Sequence, residues 1–181
     1  MTGLMIKTAL VSLVGTAAFA VGYALTALGA LLPLAITCGT VFYHFAMRLL
    51  VAWAYDAAMR NCADLRRRRY RVSPREAAFY EKLGVKKWKA RLPTADASLF
   101  DPRLHSWEEI AQAMCRAERI HAANALLSFL PIAAGTLFGA WPVFILTSLL
   151  SAAFDTLFVI EQRYNRSRVM RVIEKKNRQR Q

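Results

Sequence analysis

"TALVSLVGTAAFAVGYALTALGALLPLAITCGTVFYHFAM", Thr8 to Met47, contains no Asp, Glu, Lys or Arg. As a helix, a stretch this long extends roughly 60 Å, twice the ~30 Å hydrocarbon core of a bilayer. It reads as two membrane-spanning helices joined in a hairpin. The break is visible at "GALLP", Gly29 to Pro33, where Gly and Pro supply turn chemistry. A second block, Ala122 to Ile160, has Asp155 as its only charged residue and breaks at "FGAWP", Phe138 to Pro142, where a Trp suits the membrane–water interface. Spans are predicted near 6–28, 33–56, 122–139 and 142–160. The expected fold is all-α: a polytopic integral membrane protein with about four transmembrane helices in two hairpins and a basic central segment. Lys7 and the small–x–small step Ala18-Phe19-Ala20 have the look of a cleaved signal. The run continues uncharged far beyond that step, so a retained span is the expectation.

Composition agrees. Of 181 residues 56% are hydrophobic, and the net charge is +13, against about 45–50% apolar in an ordinary soluble domain. The basic residues are unevenly placed. Of 25 Lys and Arg, 15 lie between Arg60 and Arg119 and 8 between Arg163 and Arg180, while the two hairpin turns carry none. Basic loops stay cytoplasmic, so both termini and the central segment are expected on the cytoplasmic face of a multi-pass cell-membrane protein. The organisation follows: an N-terminal hairpin over 1–60, a basic segment over 61–120, a C-terminal hairpin over 121–162 and a basic tail over 163–181. "RRRRYR", Arg66 to Arg71, reads as a topology signal that also meets anionic lipid. Nucleic acid is not an expected partner beside four spans. Cys38, Cys62 and Cys115 have no metal-ligand spacing and read as packing residues.

Two capping boxes mark helix starts in the central segment: Ser73 with Glu76 around Pro74, and Ser106 with Glu109. The second helix is expected to run unbroken from the loop into the third span. "VKKWKARLP", Val85 to Pro93, sets Trp88 among Lys86, Lys87, Lys89 and Arg91, an interfacial pattern.

Three polar islands interrupt this scheme. "CRAERIH", Cys115 to His121, puts Glu118 and His121 on one helix face at the mouth of the third span. "FYHFAMR", Phe42 to Arg48, places His44 and Arg48 four apart inside the second span. Ionisable groups there cost several kcal/mol unless paired or led to water (~2.5–3.5 kcal/mol at a helix centre), so Arg48 needs an anion: Glu118, Asp155 or a substrate phosphate. "IEQRYNRSR", Ile160 to Arg168, interleaves Gln162, Tyr164 and Asn165 with Arg163 and Arg166, adding hydrogen-bond recognition to charge. A metal site from His44, Glu118 and His121 has suitable ligand types but unconvincing spacing, so no metal is expected.

In order, "WKARLP" (Trp88 to Pro93), "CRAERIH" and "QRYNRSR" (Gln162 to Arg168) resemble the glycosyl-4,4′-diaponeurosporenoate acyltransferase family, whose best-known member closes staphyloxanthin-type carotenoid synthesis. The resemblance covers roughly residues 80–173, and "QRYNR" is its most specific piece; "DTLFVIE", Asp155 to Glu161, lacks the Asn and Pro of that family's last span. It implies a membrane acyltransferase that takes an acyl group from acyl-CoA or an acyl-carrier protein, with no resident cofactor. The acceptor is a hydroxyl of a lipid, glycolipid or glycosylated carotenoid. On this reading His121 is the general base, Glu118 orients its ring, and His44 is the alternative base. Arg48, or Asn165 with Arg166, supplies oxyanion donors. Arg163 and Arg166 meet donor phosphate, and Trp88, Lys89, Gln162 and Tyr164 complete the substrate contacts. No Ser or Cys stands beside a base in the sequence, so direct transfer is expected. A membrane methyltransferase or reductase, or a non-enzymatic membrane subunit, is the alternative.

Overall fold

The structure, a computed structural model, describes residues 2–59, 62–94 and 96–179. The expected boundary at residues 60 and 61 and the end of the tail at 180 and 181 lie outside the described residues. The fold is 83% helical, with no strand among the described residues. Four helical stretches are long and apolar enough to cross a membrane: Thr2–Thr26, Leu31–Met59, Trp107–Phe138 and Trp141–Arg178. The chain divides into two compact units, one of Met1–Trp53 and Ala123–Phe154, the other of Ala54–Ala122 and Asp155–Gln181.

In the first unit, α1 (Thr2–Thr26) and α2 (Leu31–Met59) form the expected hairpin. Ala27 takes a left-handed φ of 53° and ends α1, and Pro33 sits in the first turn of α2, where a missing N–H costs nothing. Small residues let the two helices approach. A Cβ at Gly15 would come 3.1 Å from Cys38 Sγ, and one at Gly39 would come 3.5 Å from Thr16. Such contacts replace the hydrophobic drive that lipid cannot supply between helices. Val11, Val14, Val21 and Leu25 stay exposed on the apolar outside.

The third crossing differs from its expected form. The long α5 stops at Leu127, and a 3₁₀ stretch (Leu130–Ala134) and the short α6 (Gly135–Phe138) finish the span. The cause is Pro131, which has no N–H to give to the Leu127 carbonyl four residues back. The Tyr43 hydroxyl supplies the missing donor, at 2.8 Å from Leu127 O, as an apolar surrounding demands. Gly139, at φ 67°, then turns the chain into the last helix.

The second unit holds α3 (Pro74–Lys82), α4 (Val85–Trp88), α5 (Trp107–Leu127) without its last turn, and the second half of α7 (Trp141–Arg178). Ser73 Oγ accepts from Glu76 N and starts α3. At α5 the box is reciprocal, with Ser106 N donating to Glu109 and Glu109 N to Ser106 Oγ. Ile110, Ala111 and Met114 of α5 pack on Val169 and Ile173 of α7, and Ala63 and Tyr70 close over Cys115. Later residues of α5 meet earlier residues of α7, so the pair is antiparallel.

The last helix runs without a break from the span through "QRYNR" almost to its end. Its buried residues are 144, 148, 152, 155, 158, 162, 166, 169 and 173, a single stripe at three-to-four spacing. Ser148, Asp155, Gln162 and Arg166 lie on it. These four polar groups are thus turned inward, where Asp155 and Arg166 find partners.

Candidate functional site

The face of α5 that carries Glu118 and His121 meets the polar stripe of α7 within the second unit. The two residues share that face, as their spacing requires, but they engage different partners. His121 Nδ1 lies 2.8 Å from Asp155 Oδ1, and its ring stacks on Phe158 at 4.5 Å and 10°. Asp155 is 1% exposed on its side chain and His121 25%. A carboxylate at Nδ1 fixes the proton there and leaves Nε2 as the acceptor. Among the described residues nothing hydrogen-bonds to Nε2. The carboxylate hydrogen-bonded to the ring is therefore Asp155, not Glu118.

Glu118 instead neutralises two guanidiniums. Its Oε1 accepts from Arg163 Nη1 at 2.7 Å, and its Oε2 accepts from Arg166 Nη1. Arg166, 1% exposed, also donates to the Tyr70 carbonyl through Nε and Nη2 at 3.3 and 3.1 Å, and lies over the Tyr70 ring. Arg163 is forked onto Glu76, at 2.5 and 3.0 Å, and donates to the carbonyls of Arg69 and Arg71. Local spacing suggested a Glu118–His121 pair, but the carboxylate instead meets two guanidiniums, Arg166 buried and Arg163 partly exposed, with a charge-assisted hydrogen bond on each oxygen. Burial pushes the Glu76 carboxyl upward, yet hydrogen bonds from Arg163 and Tyr80 outweigh it and hold the group below its ordinary range. Burial and the bond to Glu76 push the Tyr80 phenol up to about 12, so it remains a donor.

The other "QRYNR" residues flank this seam. Lys89 Nζ donates to Asn165 Oδ1 and lies 5.3 Å from the Tyr164 ring centre, with Arg168 over the same ring at 5.8 Å. Burial, with help from Arg168, lowers the Lys89 ammonium, and Glu161 opposes the shift. Gln162 Oε1 is buried and accepts no hydrogen bond from the described residues, one turn from Phe158 and one turn from Arg166. A buried acceptor left open is unusual. Trp88 Nε1 donates to Leu83 O at 3.0 Å, tying down its own segment.

In the first unit, His44 and Arg48 also find a partner that the sequence reading missed. Ser151 Oγ lies 3.1 Å from His44 Nδ1 and accepts from Arg48 Nη2 at 2.7 Å, while Arg48 Nη1 donates to His44 O at 2.9 Å. A serine does stand beside a base, contrary to expectation. The two residues are 107 positions apart, which no local motif could reveal. Asp155, by contrast, had a signal: it is the only charge in the second apolar block. Among the described residues no three His, Cys, Asp or Glu side chains are arranged to hold a metal ion.

Comparison with known proteins places this geometry in a lineage. The family model for glycosyl-4,4'-diaponeurosporenoate acyltransferase matches residues 64–175, a region that includes Glu118, His121, Asp155 and the whole "QRYNR" segment. No curated protein matches the chain, and no solved structure does. The chain belongs to the glycosyl-4,4'-diaponeurosporenoate acyltransferase family.

Proposed function

We propose that this family member moves a fatty acyl group from an acyl thioester to a hydroxyl of a membrane-held lipid, glycolipid or glycosylated carotenoid, with His121 as general base. The observation that carries the reading is the His121–Asp155 contact of 2.8 Å, backed by Phe158, with Nε2 left open. Family membership favours acyl transfer over methyl transfer or reduction.

In the proposed step the acceptor O–H gives its proton to His121 Nε2 as its oxygen attacks the thioester carbonyl. The C–S bond breaks, and the imidazolium returns the proton to the departing thiolate. Asp155 stabilises the imidazolium and fixes the ring. Gln162 Oε1 accepts from a second hydroxyl of a polyhydroxylated acceptor and so turns the reacting one toward His121. The apolar helices carry the acyl chain and the acceptor. The termini and central segment lie on the cytoplasmic side, where the donor is. A cysteine introduced at Ser98 is then shielded from impermeant label in intact cells, and one in the 29–33 turn is not.

The test is transfer by purified protein with a labelled acyl thioester. His121→Ala loses about 10²–10⁴-fold, and Asp155→Asn loses a comparable factor in kcat with little change in acceptor KM. Activity within a few-fold of wild type in folded His121→Ala protein sinks the assignment.

The Ser151–His44 contact supports a second reading, an acyl-enzyme on Ser151. Arg48 stabilises alkoxide character at Oγ, and His44 takes the hydroxyl proton. Donor incubated without acceptor then leaves a hydroxylamine-labile acyl group on the protein that Ser151→Ala abolishes. Direct transfer at His121 leaves none.

A further inference from the structure

The arginine run does something more specific than mark topology. Arg163 and Arg166 donate to three consecutive carbonyls, those of Arg69, Tyr70 and Arg71. This turns the Tyr70 ring inward, against Cys115 and Ala63. The outer side chains Arg66, Arg68 and Arg71, with Val72 and Ser73, line a cleft of about 590 Å³. That volume falls within the ~300–1,000 Å³ of ligand sites.

None of these lining residues is acidic. Among the described residues no carboxylate pairs with Arg66, Arg68 or Arg71, whereas their neighbour Arg67 is matched by Asp64 at 3.7 Å. The far wall is Ser73, the N-cap of α3, whose helix start adds partial positive charge. Its Oγ accepts from Glu76 N, so its O–H is free to donate outward. Arg163 and Arg166, by contrast, spend all their donor nitrogens on carboxylates and carbonyls. They are struts that shape the cleft: Arg163 uses all five of its N–H groups, and Arg166 is 1% exposed.

We propose that the Arg66–Arg68–Arg71 cleft is a polyphosphate site that holds the head of a nucleotide-type acyl thioester, of the coenzyme A class. The identity of the thioester rests on the acyl-transfer reading above; the anion chemistry does not. Three unpaired guanidiniums around one cleft match a head with several phosphates. The single phosphodiester of a carrier-protein arm would leave most of that charge unmet.

Purified full-length protein in phosphatidylcholine nanodiscs, titrated with coenzyme A, tests this. The triple variant Arg66→Gln/Arg68→Gln/Arg71→Gln weakens binding at least ~100-fold, and Arg68→Gln alone about tenfold or more. Inorganic pyrophosphate competes. Arg103→Gln, an exposed cation paired with Asp101 away from the cleft, leaves affinity unchanged. All three target side chains are exposed, so the variants fold, and Arg68→Gln keeps the test open if the triple variant does not. Coenzyme A affinity within ~threefold of wild type in Arg68→Gln and in the triple variant overturns the proposal. Two other results overturn it as well: tighter binding of an acyl carrier protein than of coenzyme A, and loss of coenzyme A binding in phosphatidylglycerol nanodiscs, which would make lipid headgroup the occupant. The base assignment is read in the transfer assay and the cleft assignment in the coenzyme A titration, so the two failures give different results.

Discussion

Replacing Glu118 by Ala removes the carboxylate from two guanidiniums, and the effect on them is unequal. Arg163 keeps its fork to Glu76. Arg166, with a side chain 1% exposed, loses its carboxylate and keeps the Tyr70 carbonyl and ring. Breaking a buried ion pair from one side costs about 3–5 kcal/mol, because a buried charge is left uncompensated. For a chain of 150–250 residues each kcal/mol moves the midpoint by about 2–4 °C. Glu118→Ala is therefore predicted to lower Tm by roughly 6–20 °C, read from Trp fluorescence during heating in detergent. Glu118→Leu combined with Arg166→Met removes both charges and fills similar volume, and most of the loss is recovered. The alternative role, a residue that orients His121, predicts the opposite pattern. Glu118→Ala would then keep its Tm within ~2 °C while transfer falls at least ~10²-fold, and that result would falsify the strut assignment.

Three further predictions concern neighbouring features. The Glu76 carboxyl is held below its ordinary value of 4.5, so its stabilising contribution is complete above that pH and disappears as pH falls through the lowered value. Heating scans from pH 7 to pH 3 should show an acid loss of stability in wild type that is reduced in Glu76→Gln. Tyr43→Phe leaves the Leu127 carbonyl without its donor in an apolar surrounding and should cost about 1–3 kcal/mol; an unchanged Tm would show that the break at Pro131 is tolerated unaided. Gly135→Ala would place a Cβ 2.5 Å from the Trp141 ring, so the variant should unfold at lower temperature than wild type. Double substitution with Trp141→Ala should relieve the clash.

The four span-length apolar helices were legible because hydrophobic length and the absence of charge are local properties, and Gly29, Pro33 and Gly139 mark their turns. Both helix starts at Ser73 and Ser106 were legible for the same reason. The partners of the charged residues were not. Spacing tells that Glu118 and His121 share a face of α5, but it does not tell which residues of α7 that face meets. Asp155 took the imidazole and Arg163 and Arg166 took the carboxylate, over separations of 34 to 48 residues. Glu76 shows the same limit. The capping pattern found the start of α3, but not that the same carboxylate also holds Arg163, 87 residues away. The interruption near Pro131 did have a local signal, a proline inside an apolar run, which the expectation of one unbroken helix overrode.

The unbroken last helix sets a rule for how this chain can change length. Each added residue in an α-helix turns everything beyond it by about 100°. One insertion between Asp155 and Gln162 would leave Asp155 beside His121 but swing Gln162 and Arg166 off the buried stripe and carry Arg163 away from Glu118. The shortest insertion that brings them back to nearly the same face is about seven residues, two nearly whole turns, and it displaces them by roughly 10 Å along the axis. The non-helical stretch before Trp107, with its short 3₁₀ turns, has no such constraint, and added residues there can loop out into solvent. Variation in size among chains built this way is thus confined to the connections, while the count of residues from Asp155 to Arg166 behaves as a fixed ruler.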